Sequence, residues 1–251
     1  LGSSTLNYDS QGGTLSFGTL TAASLGNLTG SQSIALQNTN NEPVNLTVGG
    51  NNRTMTYSGV LSGPGMLTKG GTGTLVLTET QNYEGGTVVN GGVLQIGNGG
   101  ATGALAGSVT IGASGNLAFN RSDDLTLTSG FSGTGAVTQM GPGKMTLGSS
   151  TALETLVFNY QGGQFSFGAL TSAAFGSLRG SQPLALINDA AQPVDLTLAG
   201  DQSQTYAGTL SGTGALIKQG AGTFTVTGNA AYTGGTTVSA GTLRIVDGGY
   251  S

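Results

Sequence analysis

One stretch of the chain occurs twice almost in full, at residues 61–96 and 210–245. The two copies read LSGPGMLTKGGTGTLVLTETQNYEGGTVVNGGVLQI and LSGTGALIKQGAGTFTVTGNAAYTGGTTVSAGTLRI. A shorter third copy, FSGTGAVTQMGPGKMTL, occupies residues 131–147. Each copy alternates short apolar runs with glycine turns. A chain built from such units buries their apolar sides by stacking each unit on the next.

The repeated stretch belongs to a longer tandem duplication. Residues 17–50 match residues 167–200 without a gap, and after one deleted residue the match resumes between 56–96 and 205–245. One long repeat therefore covers about 7–158, and a second, incomplete repeat covers 159–251. We predict that residues 1–251 form a single continuous β-solenoid.

Short runs with alternating apolar and polar residues indicate β-strands. They are 14–17, 44–48, 74–77, 93–96, 109–111, 116–119 and 125–127. Glycine, Asn or Ser bounds each run, and a pair of strands gives a rung of about 20 residues. Glycine is too frequent for a long helix. The best helical candidates are 20–28 and its twin 170–178, which we expect to form at most one turn on a corner.

Two architectures fit short strands at even spacing: an antiparallel sandwich or barrel, and a parallel solenoid. The internal repeats favour the solenoid, because equivalent residues then stack on one another. The outward positions of the strands also favour it. They carry Thr, Ser and Asn where a sandwich would show charged residues.

The composition excludes several classes of protein. The chain contains 48 Gly and 5 Pro, 36% of its residues are hydrophobic and only 7% are charged. Disordered chains combine high charge with few apolar residues, and collagen needs Gly at every third position. The net charge is −4 and only seven residues are Lys or Arg. We therefore expect no nucleic-acid partner.

The chain has no His and no Cys. Disulfides, thiolate sites, His–metal sites and a Ser-His-Asp triad are therefore impossible, and we expect no cofactor. The first residues lack the basic and apolar regions of a signal peptide. No apolar run is long enough for a membrane helix. We interpret the sequence as a mature product or as a segment of a longer protein.

The repeated stretch resembles the passenger-associated transport repeat, also called the autotransporter-associated β-strand repeat. In the first copy the matching positions are Ser62, Gly63, Gly65, Leu67, Lys69, Gly71, Gly73, Leu75, Leu77, Tyr83, Gly85, Gly86, Thr87, Gly92 and Leu94. In the second copy they are Ser211, Gly212, Gly214, Leu216, Lys218, Gly220, Gly222, Phe224, Val226, Tyr232, Gly234, Gly235, Thr236, Gly241 and Leu243. The family Asn two residues before the Tyr is replaced by Gln81 and Ala230.

The resemblance implies a right-handed parallel β-helix in the secreted passenger of a type V secretion protein. Such passengers cross the bacterial outer membrane through a C-terminal barrel, and most serve as adhesins or surface fibres. The expected location is therefore extracellular, on the bacterial cell surface. The expected partners are other copies of the chain, host or matrix surface molecules, and an outer-membrane barrel of the same or a longer chain.

Few residues are candidates for chemistry. Asp123 and Asp124 are adjacent acids that suit Ca²⁺ binding or acid–base work, but we favour a solvated turn between the strands that end at Phe119 and begin at Leu125. We interpret the motif glycines as solenoid corners. Lys69 and Lys218 occupy equivalent points, which we expect to be solvated turns.

Tyr83 and Tyr232 also occupy equivalent points in the two copies. They suit two roles, either sugar-stacking platforms on the surface or packing against the bare backbone of the next rung. We favour packing, because glycine has no side chain. A repeated aromatic ring beside Gly-Gly can therefore lie against the bare backbone of the next rung.

The leading functional hypothesis is a non-enzymatic extracellular β-solenoid that acts as a stalk, adhesin or filament-forming surface protein. Its weakly charged surface favours it, because proteins usually protect open β edges from association with charged residues. The alternative hypothesis is a glycan-binding or polysaccharide-degrading β-helix with acids converging near Asp123 and Asp124.

Overall fold

A computed structural model of the chain describes residues 1–9, 13–128 and 130–246. The chain divides into two compact units, Leu1–Arg121 and Ser122–Ser251. All regular elements in the described ranges are β-strands. No helix of these residues has the length and apolarity needed to cross a membrane.

The strands of both units are short, and glycines separate many of them. The first unit contains β1 (Thr5–Tyr8), β2 (Ala22–Leu25), β3 (Asn27–Gly30), β4 (Ile34–Ala35), β5 (Asn45–Val48), β6 (Met55–Tyr57), β7 (Leu61–Gly63), β8 (Leu67–Lys69), β9 (Thr74–Leu77), β10 (Asn82–Tyr83), β11 (Thr87–Ile96) and β12 (Val109–Phe119). The second unit contains β13 (Leu125–Leu127), β14 (Phe131–Gly133), β15 (Ala136–Gln139), β16 (Lys144–Leu147), β17 (Leu153–Tyr160), β18 (Gln164–Ser166), β19 (Ser172–Gly180), β20 (Leu184–Ala185), β21 (Asp195–Leu198), β22 (Gln204–Tyr206), β23 (Leu210–Ser211), β24 (Leu216–Lys218), β25 (Thr223–Val226), β26 (Thr236–Val238) and β27 (Thr242–Ile245).

Strands about 20 residues apart pair in parallel, which makes each unit a β-solenoid. In the first unit β2, β5, β8, β11 and β12 stack in register. Side chains alternate between the two faces of such a sheet. The stack therefore places one column of residues inside and the adjacent column outside. The buried column is Leu25, Val48, Lys69, Val89 and Ile111.

A second stack of strands in the first unit consists of β3, β6, β9, β11 and β12, and β11 and β12 join it to the first stack. Its inward column is Gly30, Tyr57, Leu77, Ile96 and Phe119. The four side chains of this column are all buried. The core is thus built from columns of inward residues that stack from rung to rung.

The second unit repeats this arrangement with a more aromatic core. Its corresponding inward column is Phe175, Leu198, Lys218 and Val238. Phe158 packs against Phe175 with ring centroids 5.3 Å apart and against Phe165 at 4.7 Å. Aromatic pairs at such distances add to the free energy of burial. The aromatic side chains fill the coil where the first repeat has smaller Leu residues.

The predicted parallel solenoid with rungs of about 20 residues is confirmed, and the sandwich alternative is wrong. Most predicted strands are also present. Residues 14–17 are not a strand, although their twin contributes β18. The helical candidates were wrong, since 20–28 contains β2 and part of β3 while 170–178 contains most of β19. Register pairing with neighbouring rungs outweighs the weak local helix preference of these segments. The continuous solenoid over 1–251 stays a prediction.

The alternation of buried and exposed residues in β5 gives a direct test of the fold. Leu46 is fully buried, whereas its neighbour Thr47 is partly exposed on the outer face. Leu46→Ala should lower the free energy of unfolding by about 2–5 kcal/mol, because it leaves a cavity between rungs. Thr47→Ala should change it by about 0.5 kcal/mol or less. Urea unfolding followed by circular dichroism measures both, and equal effects would contradict the inward placement of Leu46.

Candidate functional site

The glycines of the transport repeat lie where the chain turns between sheets. Gly63 and Gly212 have positive φ angles of 89° and 96°, which glycine adopts without strain. Gly65 and Gly214 have a different requirement, because a Cβ there would overlap the carbonyl oxygens of Val44 and Val194. Gly63 is the last residue of β7, and the remaining predicted glycines lie at bends or loops outside the strands. They are Gly73, Gly85, Gly86, Gly222, Gly234 and Gly235.

Lys69 lies inside the coil, with no exposed side-chain surface. It occupies the inward column between Val48 and Val89. Its Nζ donates hydrogen bonds to the carbonyl oxygens of Gly70, at 2.6 Å, and Gly91, at 3.2 Å. Burial lowers the pKa of Lys69 from 10.5 to about 8.

Lys218 repeats this arrangement in the second unit. It is 2% exposed, and its Nζ donates to the carbonyl oxygen of Gly220. Burial lowers its pKa, and the charge of Asp201 partly offsets that effect. The expectation of solvated turn lysines was therefore wrong. Alternation along β8 and β24 puts these residues on the inner face, and their long side chains reach a corner where glycine carbonyls accept hydrogen bonds.

The two motif tyrosines have different surroundings. Tyr83 is fully buried, and its hydroxyl lies 2.5 Å from the hydroxyl of Thr87. Tyr232 makes the same contact with Thr236 at 2.6 Å, but Tyr232 is only half-buried and Thr236 is exposed. Burial of Tyr83 supports a packing role and excludes it as a sugar-stacking platform. The first copy is covered by β12, which pairs with β11 along its length.

Two further tyrosines were missed by the reading of the sequence. Tyr57 and Tyr206 are fully buried, and each lies in register with a glycine of the preceding rung. The Tyr57 hydroxyl donates to the carbonyl oxygen of Gln32 at 2.6 Å, and Tyr206 contacts Gln182 in the same way. Burial raises the pKa of Tyr57 and Tyr206. Both tyrosines follow a Thr at equivalent positions of the two long repeats, and this recurrence could have identified them from the sequence.

The paired acids have a structural contact. The carboxylate of Asp124 accepts a hydrogen bond from the backbone N–H of Lys144 at 3.2 Å, one rung further on. Among the described residues, no three acidic side chains form a group that could hold a metal ion. Nearby, Lys144 forms a salt bridge of 3.2 Å with Asp189. The hydrogen bond of Ser166 and the charge of Lys144 lower the pKa of Asp189.

The outer face of the first unit presents a column of small, mostly hydroxylated residues. In register these are Ser24, Thr47, Thr68, Val88 and Thr110. All five are partly or fully exposed. The column offers regularly repeated hydroxyl groups and almost no charge, which suits many weak contacts with a surface.

Strands β26 and β27 of the second unit show an exposed apolar surface. Val238 is 48% exposed and Ile245 is 52% exposed. Their equivalents in the first copy, Val89 and Ile96, are fully buried under β12. The apolar positions of the repeat are therefore buried where a further rung follows, as β12 follows β11.

These features define a β-solenoid whose corners are built by a recurring glycine motif. The chain matches the family described as Passenger-associated-transport-repeat over residues 67–96 and 216–245. It is also similar to the "Adhesin BmaC autotransporter" of Brucella suis biovar 1 (strain 1330), with 37% identity over 200 residues. The match covers 78% of the chain and 4% of that relative, so the chain spans a small part of its length. No solved structure matches the chain.

The chain carries two passenger-associated transport repeats and is similar to part of an autotransporter adhesin. The resemblance predicted from the sequence is thereby confirmed. The predicted location is confirmed as well: the sequence is exposed on the bacterial surface after secretion across the outer membrane.

The two motif tyrosines form a matched pair for mutation. Tyr83→Phe should lower the free energy of unfolding by about 1–3 kcal/mol, because the buried hydroxyl of Thr87 loses its partner. Tyr232→Phe should change it by about 0.5 kcal/mol or less, since both groups reach solvent. Chemical denaturation of the two variants measures the difference. Similar losses at both positions would contradict the assigned burial.

The buried lysines should make stability depend on pH. The pKa of Lys69 is about 8 in the folded chain and 10.5 ordinarily. Between these values the unfolded chain binds more protons, so the free energy of unfolding should rise with pH from about 8. Above about pH 10 the rise should reverse. There the unfolded chain releases phenol protons that folded Tyr83, with its pKa raised to about 12, retains.

Denaturation midpoints measured from pH 7 to 10 test this rise. Lys69→Met should reduce the rise, because one of the two buried lysines is removed while an apolar side chain of similar length stays in the column. Lys144→Met is the control, since Lys144 is partly exposed beside Asp189. A flat profile for the unmodified chain, or an unchanged slope in Lys69→Met, would show that Lys69 does not titrate in this range.

Proposed function

We propose that the chain is a non-enzymatic structural and adhesive segment of a bacterial surface protein. The observation that carries this proposal is the 37% identity to part of an autotransporter adhesin, found on a β-solenoid. A passenger of this kind is linked to an outer-membrane translocator domain, and its surface contacts host or matrix molecules. The hydroxyl column from Ser24 to Thr110 supports it as a repeated, weakly charged contact face.

The polysaccharide-degrading alternative has less support. Asp124 accepts a backbone hydrogen bond at a turn, and no described group of three acids surrounds it. A reaction of the inverting or retaining type needs two carboxyl groups facing one another across a substrate. The similarity to an adhesin also favours binding without catalysis.

Surface display tests the adhesive function. We expect bacteria that display residues 1–251 through a heterologous translocator to attach to host cells or matrix several-fold more than bacteria displaying the translocator alone. Excess purified chain should reduce that attachment, because it occupies the same receptors. Attachment equal to that of the translocator control, at equal display level, would overturn the proposal.

We also propose that copies of the chain associate with one another, as a filament-forming surface protein requires. The low charge of the chain supports this, because charged residues on an edge strand normally prevent strand addition.

Light scattering and electron microscopy of the purified chain test association. The mass of the particles should rise with protein concentration. Monodisperse particles of the unmodified chain at every concentration would contradict the proposal.

A further inference from the structure

A cleft of about 560 Å³ opens at one corner of the second unit. Its rim carries side chains able to form hydrogen bonds, and its floor is made of small or apolar residues. The volume lies within the range of about 300–1,000 Å³ that is common for sites binding small molecules. The rim residues are Thr134, Glu154, Thr155, Asp201 and Gln202.

The same corner of the first unit is occupied by a side-chain network. Asn27 is fully buried, and its Nδ2 donates to the carbonyl oxygen of Arg53 at 2.7 Å and to Asn51 Oδ1 at 3.5 Å. Asn51 Nδ2 in turn donates to the hydroxyl of Thr5 at 2.9 Å. Three side chains thus link three successive rungs and fill the corner.

The second unit lacks every member of this network. Thr5 pairs in register with Asn27, and the corresponding pair is Val157 with Ser177. Both polar partners are therefore replaced by residues that cannot reproduce the contacts.

Asn51 has no counterpart, because the one-residue deletion between the repeats falls at this turn. Asn52 Oδ1 accepts from the N–H of Thr72, and Asp201 Oδ1 accepts from Ala221 in the same way. Asp201 thus corresponds to Asn52, and the residue before it is the one lost.

The rim of the open corner also gains groups that the first unit does not have. Gly26 lies against Ser3 and Ser4, and its equivalent Gly176 lies against Thr155 and Leu156. Glu154 therefore corresponds to Gly2 of the first unit, and it is exposed at the cleft. Asp201 is exposed as well, and its hydrogen bond of 2.7 Å to Ala221 fixes its direction. Gln202 Nε2 donates to the carbonyl oxygen of Thr134, which joins the two sides of the rim.

The charge and polarity of the rim restrict the kinds of ligand that the cleft can bind. None of the lining residues is a cation, and Lys218, which interacts with Asp201, is only 2% exposed. Two carboxylates disfavour an anionic ligand and accept strong hydrogen bonds from hydroxyl groups. Val157, Gly176 and Gly200 form a floor without long side chains, on which the C–H face of a ring can lie.

We propose that this cleft binds a neutral saccharide, with sugar hydroxyl groups donating to Glu154 and Asp201. Gln202 and the Thr side chains on the rim supply further hydrogen bonds, and the floor contacts the ring. The proposal rests on the adhesive function and gives it a ligand class and a location. In the first unit the network of Thr5, Asn27 and Asn51 fills the equivalent turn.

Binding is measured with the purified chain on an array of neutral, sialylated and sulfated oligosaccharides, followed by titration with the best neutral glycan. We expect retention on neutral glycans and weaker retention on their anionic counterparts, which face Glu154 and Asp201. Glu154→Gln should reduce affinity about tenfold, equivalent to about 1.4 kcal/mol. Glu84→Gln removes an equal charge at an exposed position of the first unit and should leave affinity unchanged.

A second variant rebuilds the network of the first unit. It combines Val157→Thr, Ser177→Asn and an Asn inserted between Gly200 and Asp201, and it should abolish binding by filling the corner. If this variant does not fold by circular dichroism, Glu154→Gln together with Gln202→Ala decides the question. Retention of no neutral glycan, retention of amine-bearing ligands alone, or undiminished binding in the folded variants would overturn the proposal.

Attachment of displaying bacteria separates this proposal from the adhesive function. Loss of both glycan binding and attachment in the network variant would support the cleft as the adhesive contact. Attachment that persists without glycan binding would overturn the cleft as the adhesive contact and leave the adhesive function standing.

Discussion

In-register parallel pairing between rungs is the constraint on which the rest of the structure depends. Each residue lies over its equivalent one rung earlier. A substitution at one position therefore alters its packing against the residues of the same column in the rungs above and below. Leu46 rests on Leu67, and Val48 on Lys69, with partners about 20 residues apart. The repeated sequence and the repeated geometry are therefore two aspects of one requirement.

That constraint explains the residues of the transport repeat. Glycine occurs where consecutive rungs turn so closely that a Cβ would overlap a neighbouring carbonyl, as at Gly65. Turning also directs carbonyl groups towards the inside, where they need donors. Lys69 supplies donors for Gly70 and Gly91, and Lys218 does so for Gly220. The motif is thus a set of partners for the backbone at the corners.

Much of the fold could be predicted from the sequence, because period-two alternation, glycine spacing and duplication all indicate stacked short strands. The burial of Lys69 could not, since a lysine beside glycines is usually solvated and only the rung register puts it inside. The cleft at Glu154 could not be predicted for another reason. Its residues come from separate rungs, and the second unit has no counterpart of Asn51 to fill the corner. A missing residue leaves no motif in the sequence.

The one-residue deletion beside Gly200 shows how such a coil can diversify. Strands on either side keep their register, as the pairing of β21 with β24 and of β22 with β25 demonstrates, so the change is confined to the corner. Corners can therefore gain or lose residues while the stacked columns stay intact. A duplicated coil of this kind is a scaffold on which each copy of a corner can evolve its own surface without refolding the core.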